Sequence, residues 1–270
     1  MKIINGNELA LNLDNKIVEL VKDSSDHGNL AIIQIGNNPA SNTYIKIKQK
    51  IAEKVGITCV LYKFDSNKTI EYLQQEVTKI VNDKNNTGVI IQLPLPISIK
   101  NQLLDLVPVE KDIDLLSSNS QNFFYSNLID YGSPITRATE YILDSLELID
   151  NNLNVLVVGS GFLVGKPIIH MLKRKKIRVS YTNNYSKKLC NDKNLIILCA
   201  GVPKLVKGED LQKNTSVIDF GYSLIDKKTV GDFDLRSKTD HLNYIVPSPN
   251  GMGPLVVRFL LLNHIKKYNI

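Results

Sequence analysis

The sequence has few of the residues that build disulfide frameworks and metal centres. Its three cysteines are Cys59, Cys190 and Cys199, and they form neither a CxxC pair nor the spacing of a zinc finger. Its four histidines are dispersed, and none lies in an HExxH motif. These absences predict a protein of a reducing compartment, with no disulfide framework and no metal site.

Long apolar runs are also lacking. No apolar stretch approaches the length needed to span a bilayer, and the N-terminus turns polar too early to form the apolar core of a signal peptide. We therefore expect a soluble, cytoplasmic protein with no membrane partner.

The remaining composition is that of an ordinary globular protein. The chain has 270 residues, of which 43% are hydrophobic and 22% charged, so one large or two modest domains are expected. The net charge is +6, but the lysines are spread along the chain and only residues 173–176 form a basic cluster. This pattern argues against a nucleic-acid partner, and it is compatible with an anionic small-molecule substrate.

Apolar runs and helical periodicities alternate along the first part of the chain. The pattern predicts, in order, a helix, a strand, a helix, a strand, a helix and a strand, over residues 8–21, 30–35, 41–55, 58–64, 70–81 and 88–93. Such alternation predicts a parallel sheet covered by helices.

A second alternating series follows a polar segment at residues 117–132. Helices are predicted over 136–148, 164–173 and 255–265, and short strands over 153–158, 179–182, 195–199, 216–219 and 244–246. The predicted fold is therefore α/β with two domains. The first covers residues 1–120 and is completed by a C-terminal helix within 250–270, whereas residues 121–249 form a Rossmann-type domain.

Four polar residues in the first domain are predicted to meet at one site. Tyr44 and Lys48 lie one helical turn apart, Gln92 ends a strand, and Asp114 follows a later connection. Ligands of open α/β sheets bind where the strands end. A lysine withdrawn from water there has a lowered pKa and can transfer protons. Taken without other information, the Tyr44–Lys48 spacing is more typical of two side chains on a helix surface.

A glycine-rich turn in the second domain joins a predicted strand to a predicted helix. Its pattern is Gly159-x-Gly161-x-x-x-Gly165, in which the third glycine comes one residue later than in the common dinucleotide fingerprint. Glycines let the backbone approach a pyrophosphate, and the N-terminus of a helix favours its charge.

Ordered motifs along nearly the whole chain resemble the bifunctional methylenetetrahydrofolate dehydrogenase/methenyltetrahydrofolate cyclohydrolase family. They are Gly36-x-x-Pro39-Ala40-Ser41-x-x-Tyr44-x-x-x-Lys48, Gln92-Leu93-Pro94-Leu95-Pro96, Pro108-x-x-Lys111-Asp112-Ile113-Asp114, the glycine-rich turn with Val164-Gly165-x-Pro167, and Pro247-x-Pro249-x-Gly251-x-Gly253-Pro254.

The resemblance implies both an activity and a set of residue roles. It implies oxidation of 5,10-methylenetetrahydrofolate with NADP, or alternatively NAD, followed by hydrolysis to 10-formyltetrahydrofolate, in a homodimer formed through the nucleotide domains. Lys48 would carry protons, and Gln92 would hydrogen-bond to Lys48 and adjust its readiness to transfer a proton. Tyr44 would stack on the aminobenzoyl group and Asp114 would bind the pterin. Further substrate contacts would come from Pro249, Gly251 and Gly253, and cofactor contacts from Gly159, Ser160, Gly161, Val164, Gly165, Ala200, Gly201 and Asp219.

Several positions depart from the family pattern. Ser160 replaces an arginine, and Thr182-Asn183-Asn184 replaces a Cys-His-Ser stretch; in the family the arginine and serine hold the 2′-phosphate of NADP. Leu115 and Asn250 replace glycines. These departures leave open a cyclohydrolase or a non-catalytic folate-binding protein whose nucleotide site is degenerate. A third hypothesis is an unrelated nicotinamide dehydrogenase acting on an amino-acid-like substrate.

Overall fold

The computed structural model describes residues 1–23, 27–129, 131–226 and 228–266, so the last four residues of the predicted C-terminal segment lie outside the described residues. The chain divides into two compact units. We call Asn12–Pro134 with Val257–Ile270 the three-strand unit, and Met1–Leu11 with Ile135–Val256 the six-strand unit. No helix within the described ranges is both long and apolar enough to cross a membrane.

The elements confirm an α/β fold. In chain order they are β1 (Lys2–Ile3), α1 (Gly6–Asp23), β2 (Asn29–Ile35), α2 (Pro39–Lys54), β3 (Cys59–Phe64), α3 (Ile70–Asn82), β4 (Asn86–Ile91), α4 (Ile97–Leu104), α5 (Ser118–Tyr125), α6 (Pro134–Ser145), β5 (Asn154–Val158), α7 (Gly165–Arg174), β6 (Arg178–Thr182), β7 (Leu195–Leu198), β8 (Val206–Lys207), β9 (Ser216–Asp219), β10 (Ser223–Ile225), β11 (Lys228–Val230), β12 (Phe233–Asp234), β13 (Tyr244–Val246) and α8 (Met252–Lys266).

The three-strand unit is a parallel sheet in the order β3-β2-β4. The helix α2 begins with Pro39 in its first turn, and the Asn38 side chain accepts a hydrogen bond from the Ser41 backbone N–H. Gly56 follows the end of this helix at φ +83°, a conformation that glycine adopts without strain. Both ends of α2 are therefore fixed locally, which sets the position of the side chains that it carries.

A buried ion pair ties the C-terminal helix to the rest of the three-strand unit. Arg258 on α8 donates from Nε to Asp14 Oδ1 at 2.7 Å and from Nη2 to Asp14 Oδ2 at 3.1 Å. Lys54 adds a third hydrogen bond to the same carboxylate at 2.9 Å. Burial raises the pKa of Asp14, but the bonds from Arg258 and Lys54 outweigh it and leave the pKa below its usual value.

The six-strand unit is a parallel sheet in the order β1-β13-β9-β7-β5-β6. Its central strands β5, β7 and β9 are buried along their whole length, as expected for a parallel sheet that is covered on both faces. The chain reverses its direction of sheet growth between β6 and β7, on either side of β5. Such a reversal point is where nucleotides bind in this class of fold.

Some features differ from the sequence-based predictions. The units divide at Pro134 rather than near residue 120, and the first residues join the six-strand unit because β1 pairs with β13. Two short helices, α4 and α5, were not predicted. The helix α5 has a polar sequence with little apolar periodicity, and it is stabilised at its start by Ser117, whose side chain accepts from the Ser120 backbone N–H.

Candidate active site

Lys48 and Gln92 form the centre of the candidate site in the three-strand unit. Lys48 lies on α2 and is only 3% exposed, and its Nζ donates to Gln92 Oε1 at 3.0 Å. Gln92 follows β4, and its own amide group donates to the Leu93 carbonyl at 2.8 Å. The bond to Leu93 fixes the orientation of the Gln92 amide, so the oxygen faces the lysine. The predicted pairing of these two side chains is thus present in the structure.

Tyr44 and Asp114 lie close to the same ammonium group. Lys48 Nζ is 5.0 Å from the centroid of the Tyr44 ring, within the range of a cation–π contact. Asp114 is half-buried and interacts electrostatically with both Tyr44 and Lys48. All four predicted residues of this site therefore come together in one unit.

The surroundings shift the pKa values of these groups. Burial lowers the pKa of Lys48, and the negative charge of Asp114 opposes that shift, as does Cys59. Burial raises the pKa of Asp114, and Lys48 opposes this in turn. The Cys59 thiol, half-buried on β3, has a pKa raised by burial to about 11, so it is protonated at neutral pH. The site thus holds a lysine that gives up its proton more easily than a lysine in water.

Backbone and side-chain contacts hold the loops around Lys48. Ser41 Oγ donates to the Leu93 carbonyl at 3.1 Å, which joins the start of α2 to the loop after β4. The Val89 N–H donates to the Lys111 carbonyl at 2.8 Å, and Val89 and Asp112 form a parallel bridge. The segment that carries Asp114 is therefore attached to the edge of the sheet at β4.

The glycine-rich turn of the six-strand unit has room for a ligand at one glycine and none at the other two. A Cβ atom at Gly159 would lie 2.5 Å from the Cys199 carbonyl oxygen, and one at Gly165 would lie 1.9 Å from the Gly159 carbonyl oxygen. A Cβ atom at Gly161 would meet nothing within 4 Å. The first and third glycines therefore close the turn, and the second leaves its backbone open to an approaching pyrophosphate.

Ser160 occupies the position where the family pattern has arginine. Its backbone N–H and its hydroxyl both donate to Asn183 Oδ1, at 2.8 and 3.0 Å. Asn183 is exposed and directly follows β6. Because its oxygen is used by Ser160, the amide NH₂ of Asn183 remains as the donor that this neutral pair offers to a ligand. Asn183 was not among the predicted site residues.

The other predicted cofactor residues differ in exposure. Val164 is half-buried and immediately precedes α7, and Ala200 and Gly201 form a partly exposed turn after β7. Asp219 is instead 1% exposed, and its carboxylate accepts hydrogen bonds from the backbone N–H groups of Gly221, Asp232 and Phe233. Its carboxylate is thus bound to the protein's own backbone.

The predicted substrate residues near the C-terminus lie in the six-strand unit. Pro249 and Gly253 are exposed, and Gly251 is buried, with no space for a Cβ atom because the Pro247 carbonyl oxygen would lie 2.1 Å away. Asn250, between them, has φ +71°, and Leu115 in the three-strand unit has φ +56°. Both residues that replace family glycines thus keep the left-handed backbone that glycine prefers.

No group of three metal-ligating side chains occurs in the parts of the chain that the structure describes.

Comparisons with known proteins identify relatives for both units. A family model described as tetrahydrofolate dehydrogenase/cyclohydrolase, catalytic domain, matches residues 4–114, and one described as the NAD(P)-binding domain of the same family matches residues 134–270. The chain is 36% identical to the bifunctional protein FolD of Mycoplasmopsis synoviae, across 99% of this chain and 100% of that protein.

Two further relatives agree. The bifunctional protein FolD of Halothermothrix orenii is 30% identical, across 98% of this chain and 97% of that one. The crystal structure of the bifunctional enzyme FolD, methylenetetrahydrofolate dehydrogenase/cyclohydrolase, from Campylobacter jejuni matches with a TM-score of 0.90 at 27% identity, and covers 99% of this chain and 98% of that one. The resemblance seen in the sequence motifs is confirmed.

Proposed function

The chain belongs to the tetrahydrofolate dehydrogenase/cyclohydrolase family, and from this premise we propose that it carries out both reactions. It would oxidise 5,10-methylenetetrahydrofolate to the methenyl form with a nicotinamide nucleotide and then hydrolyse that product to 10-formyltetrahydrofolate. The observation that carries the proposal is the buried Lys48 with its Nζ 3.0 Å from Gln92 Oε1, beside Tyr44 and Asp114.

Lys48 is the residue that we assign to proton transfer in the hydrolysis. Its lowered pKa allows the neutral amine to accept a proton from the water that adds to the methenyl carbon. The resulting ammonium can return this proton to the ring nitrogen as the carbon–nitrogen bond opens, while the hydroxyl of the water adduct loses its proton to solvent and becomes the formyl oxygen. Gln92 holds the amine at this place without adding a charge, which would raise the pKa of the lysine again.

Tyr44 and Asp114 are assigned to substrate binding. The half-buried Tyr44 ring offers a flat apolar face for an aromatic ring such as the aminobenzoyl group. The Asp114 carboxylate can accept hydrogen bonds from paired N–H groups of a pterin. Pro249, Gly251 and Gly253 remain predicted substrate contacts.

The glycine-rich turn fits a dinucleotide, since Gly161 leaves its backbone open and α7 presents its N-terminus after Val164. A bound NAD(P)⁺ supplies the acceptor of the hydride that leaves the methylene bridge. Gly159, Ser160, Gly161 and Gly165 would hold the nucleotide's phosphates, and Ala200 and Gly201 would line its nicotinamide end. Asp219 would contribute indirectly, because its carboxylate fixes the backbone N–H groups of Gly221 and Phe233.

On the family resemblance we assign NADP as the nucleotide, with NAD as a second substrate, and we predict that NADP binds here without a charged contact at residue 160. The Ser160–Asn183 pair offers neutral donors and no cation, so the 2′-phosphate gains little binding energy from it. We expect Ser160→Arg to lower KM for NADP about 10-fold relative to NAD, because an arginine adds a charged hydrogen bond to the phosphate. Ser160→Ala, which removes the hydroxyl without adding a charge, is the matched control. An unchanged ratio of the two KM values in Ser160→Arg would contradict the assignment of this position to the 2′-phosphate.

One experiment tests the whole proposal. The purified protein is given 5,10-methylenetetrahydrofolate with NADP or NAD, and total methenyl and formyl products are read by absorbance after acid conversion. A second assay follows the loss of methenyltetrahydrofolate without nucleotide. Product in both assays supports the bifunctional enzyme. Activity in the second assay alone would replace the proposal with a cyclohydrolase, and activity in neither would leave a folate-binding protein.

A homodimer through the nucleotide-binding units is also part of the proposal, on the family resemblance alone. Sedimentation equilibrium at micromolar concentration should give twice the chain mass of 30.3 kDa.

A further inference from the structure

Two carboxylates that were not expected to act together are buried beneath the turn after β7. Asp232 is 0% exposed and Asp219 is 1% exposed. A Cβ atom at Gly221 would lie 2.3 Å from Asp232 Oδ1, and one at Gly231 would lie 2.1 Å from Asp219 Oδ2. The two glycines thus leave open the space that these carboxylates occupy, and a side chain at either position would displace one of them.

Asp232 binds the turn directly. Its Oδ2 accepts from the Ala200 N–H at 2.7 Å and from the Gly201 N–H at 3.0 Å. Gly201 has φ +68°, and a Cβ atom there would meet nothing within 4 Å, so the upper side of the turn is open. The turn is therefore held from the buried side by a carboxylate while its other side is accessible to a ligand.

Asp219 in turn fixes Asp232. Its Oδ1 accepts from the Asp232 N–H at 3.2 Å and from the Gly221 N–H at 2.7 Å, and its Oδ2 accepts from the Phe233 N–H at 2.9 Å. The Lys204 N–H also donates to the Gly231 carbonyl at 3.0 Å, so the segment after the turn is attached to the same strand region. The loops that follow β7 and β9 are thereby joined through two side chains.

Burying these two carboxylates costs more folding free energy than burying apolar side chains of similar size would. A buried carboxylate without a cation loses its hydration, and among the described residues the hydrogen bonds to Asp219 and Asp232 come from backbone N–H groups. Burial accordingly raises the pKa of Asp219 to about 7, against the opposing hydrogen bonds from Phe233, Gly221 and Asp232. Within the described part of the chain, Asp232 Oδ1 has no hydrogen-bond partner. Buried polar groups that cost folding free energy in this way are expected at functional sites, where they fix the position of neighbouring groups.

We propose that Asp232 is a positioning residue for the dehydrogenase reaction: it fixes the Ala200–Gly201 turn, the surface against which the nicotinamide end of the nucleotide binds, and Asp219 holds Asp232 in place. This inference rests on the proposed function. It places the requirement for Asp232 on the hydride-transfer step alone, because Lys48, which transfers protons, and its neighbour Gln92 belong to the other unit.

The test compares two activities in the same preparation of each variant. Asp232→Ala removes both hydrogen bonds to the turn, and we expect kcat of the dehydrogenase to fall about 10- to 100-fold, since a misplacement of about 1 Å costs that much in rate. KM for the nucleotide should change less than about 3-fold, because the glycine-rich turn holds the phosphates. Cyclohydrolase activity should stay within about 2-fold of wild type, as expected when proton transfer is untouched.

Three further variants separate positioning from general damage. Asp232→Asn keeps an oxygen that can accept both N–H groups, so it should recover most of kcat. Gly201→Ala strains the turn at its left-handed residue without touching the buried pair, and should again lower only the dehydrogenase. Asp240→Ala removes an exposed carboxylate of the same unit and should match wild type.

The outcomes are distinguishable. Equal losses of both activities in Asp232→Ala, or an unchanged dehydrogenase kcat in Asp232→Ala and Gly201→Ala, would overturn the positioning role. If Asp232→Ala does not fold, Asp232→Asn and Gly201→Ala carry the comparison. A wild-type protein with cyclohydrolase but no dehydrogenase activity would overturn the proposed function itself, and this inference with it.

Discussion

The three-strand unit and the six-strand unit hold their candidate sites in different ways. Around Lys48 the contacts join side chains, as in the bond from its Nζ to Gln92 Oε1 and its approach to the Tyr44 ring. Around Gly159 and Gly201 the contacts join backbone groups, and the buried carboxylates serve to orient them.

This difference bears on the departures in the glycine-rich turn. A site made of side chains loses its function when one of them is exchanged, and all four predicted residues around Lys48 are present. A site made of backbone accepts other side chains as long as the backbone keeps its path, and Ser160 and Asn183 lie in such a site. Exchanges at Ser160 or Asn183 should therefore have small effects on kcat, whereas changes at Asp232 or Gly201, which fix the path of the backbone, should have large ones.

The largest effect is expected for Lys48→Met. Methionine has a similar length but cannot carry a proton, so cyclohydrolase activity should fall about 10²- to 10⁴-fold. The dehydrogenase should lose less than about 10-fold, since hydride transfer needs no proton from this residue. Initial rates of both reactions measure the two losses. Lys46→Met, an exposed lysine of the same helix, is the control, and hydrolysis at the wild-type rate in Lys48→Met would remove Lys48 from the mechanism.

A second test asks whether the backbone at Leu115 is strained. Leu115 has φ +56° and is fully buried, and a left-handed leucine costs about 1–2 kcal/mol. Leu115→Ala should destabilise the protein by about 2–5 kcal/mol through the cavity that it leaves. Leu115→Gly leaves a similar cavity but relieves the strain, so we expect it to be about 1 kcal/mol more stable than the alanine variant. Urea unfolding gives the order, and a glycine variant less stable than the alanine variant would show that no strain is present.

The sequence was informative where an interaction depends on local structure. The register of α2 and the end of β4 are both set by nearby residues, so strand and helix boundaries place Lys48 and Gln92 at the same edge of the sheet, and the family resemblance then implies their hydrogen bond. The contact of Asp232 with Ala200 and Gly201 depends on how β12 and the loop after β7 lie against each other. The spacing of residues along the chain does not predict that arrangement. The same holds for β1, whose pairing with β13 moves the N-terminus into the other unit.

A third test concerns the neutral partner of Lys48. Gln92→Glu places a negative charge beside the ammonium group, which favours the charged lysine and raises its pKa. The second oxygen of the new carboxylate would face the Leu93 carbonyl oxygen. Because both are acceptors, this contact favours protonation of the carboxylate and limits the rise in the pKa of Lys48. Because the neutral amine is the active form, cyclohydrolase activity should fall about 10-fold near neutral pH and recover as the pH rises. A pH–rate profile measures this, and a profile shifted to lower pH would contradict the assignment of Lys48 as the base.

The smallest effect is expected at Asn250, where the six-strand unit keeps a left-handed backbone without a glycine. Asparagine tolerates φ +71° better than other residues do, and this one is exposed, so neither strain nor a cavity is at stake. The Gly6 N–H donates to the Asn250 carbonyl at 2.7 Å, a bond that any residue with this backbone can accept. Asn250→Gly should therefore change the free energy of unfolding by less than about 1 kcal/mol, whereas Asn250→Ala should lower it by about 1 kcal/mol or more. Urea unfolding of both Asn250 variants, together with the two Leu115 variants, tests whether the left-handed backbone alone determines which residues are accepted at position 250. Equal stability of Asn250→Ala and wild type would show that it does not.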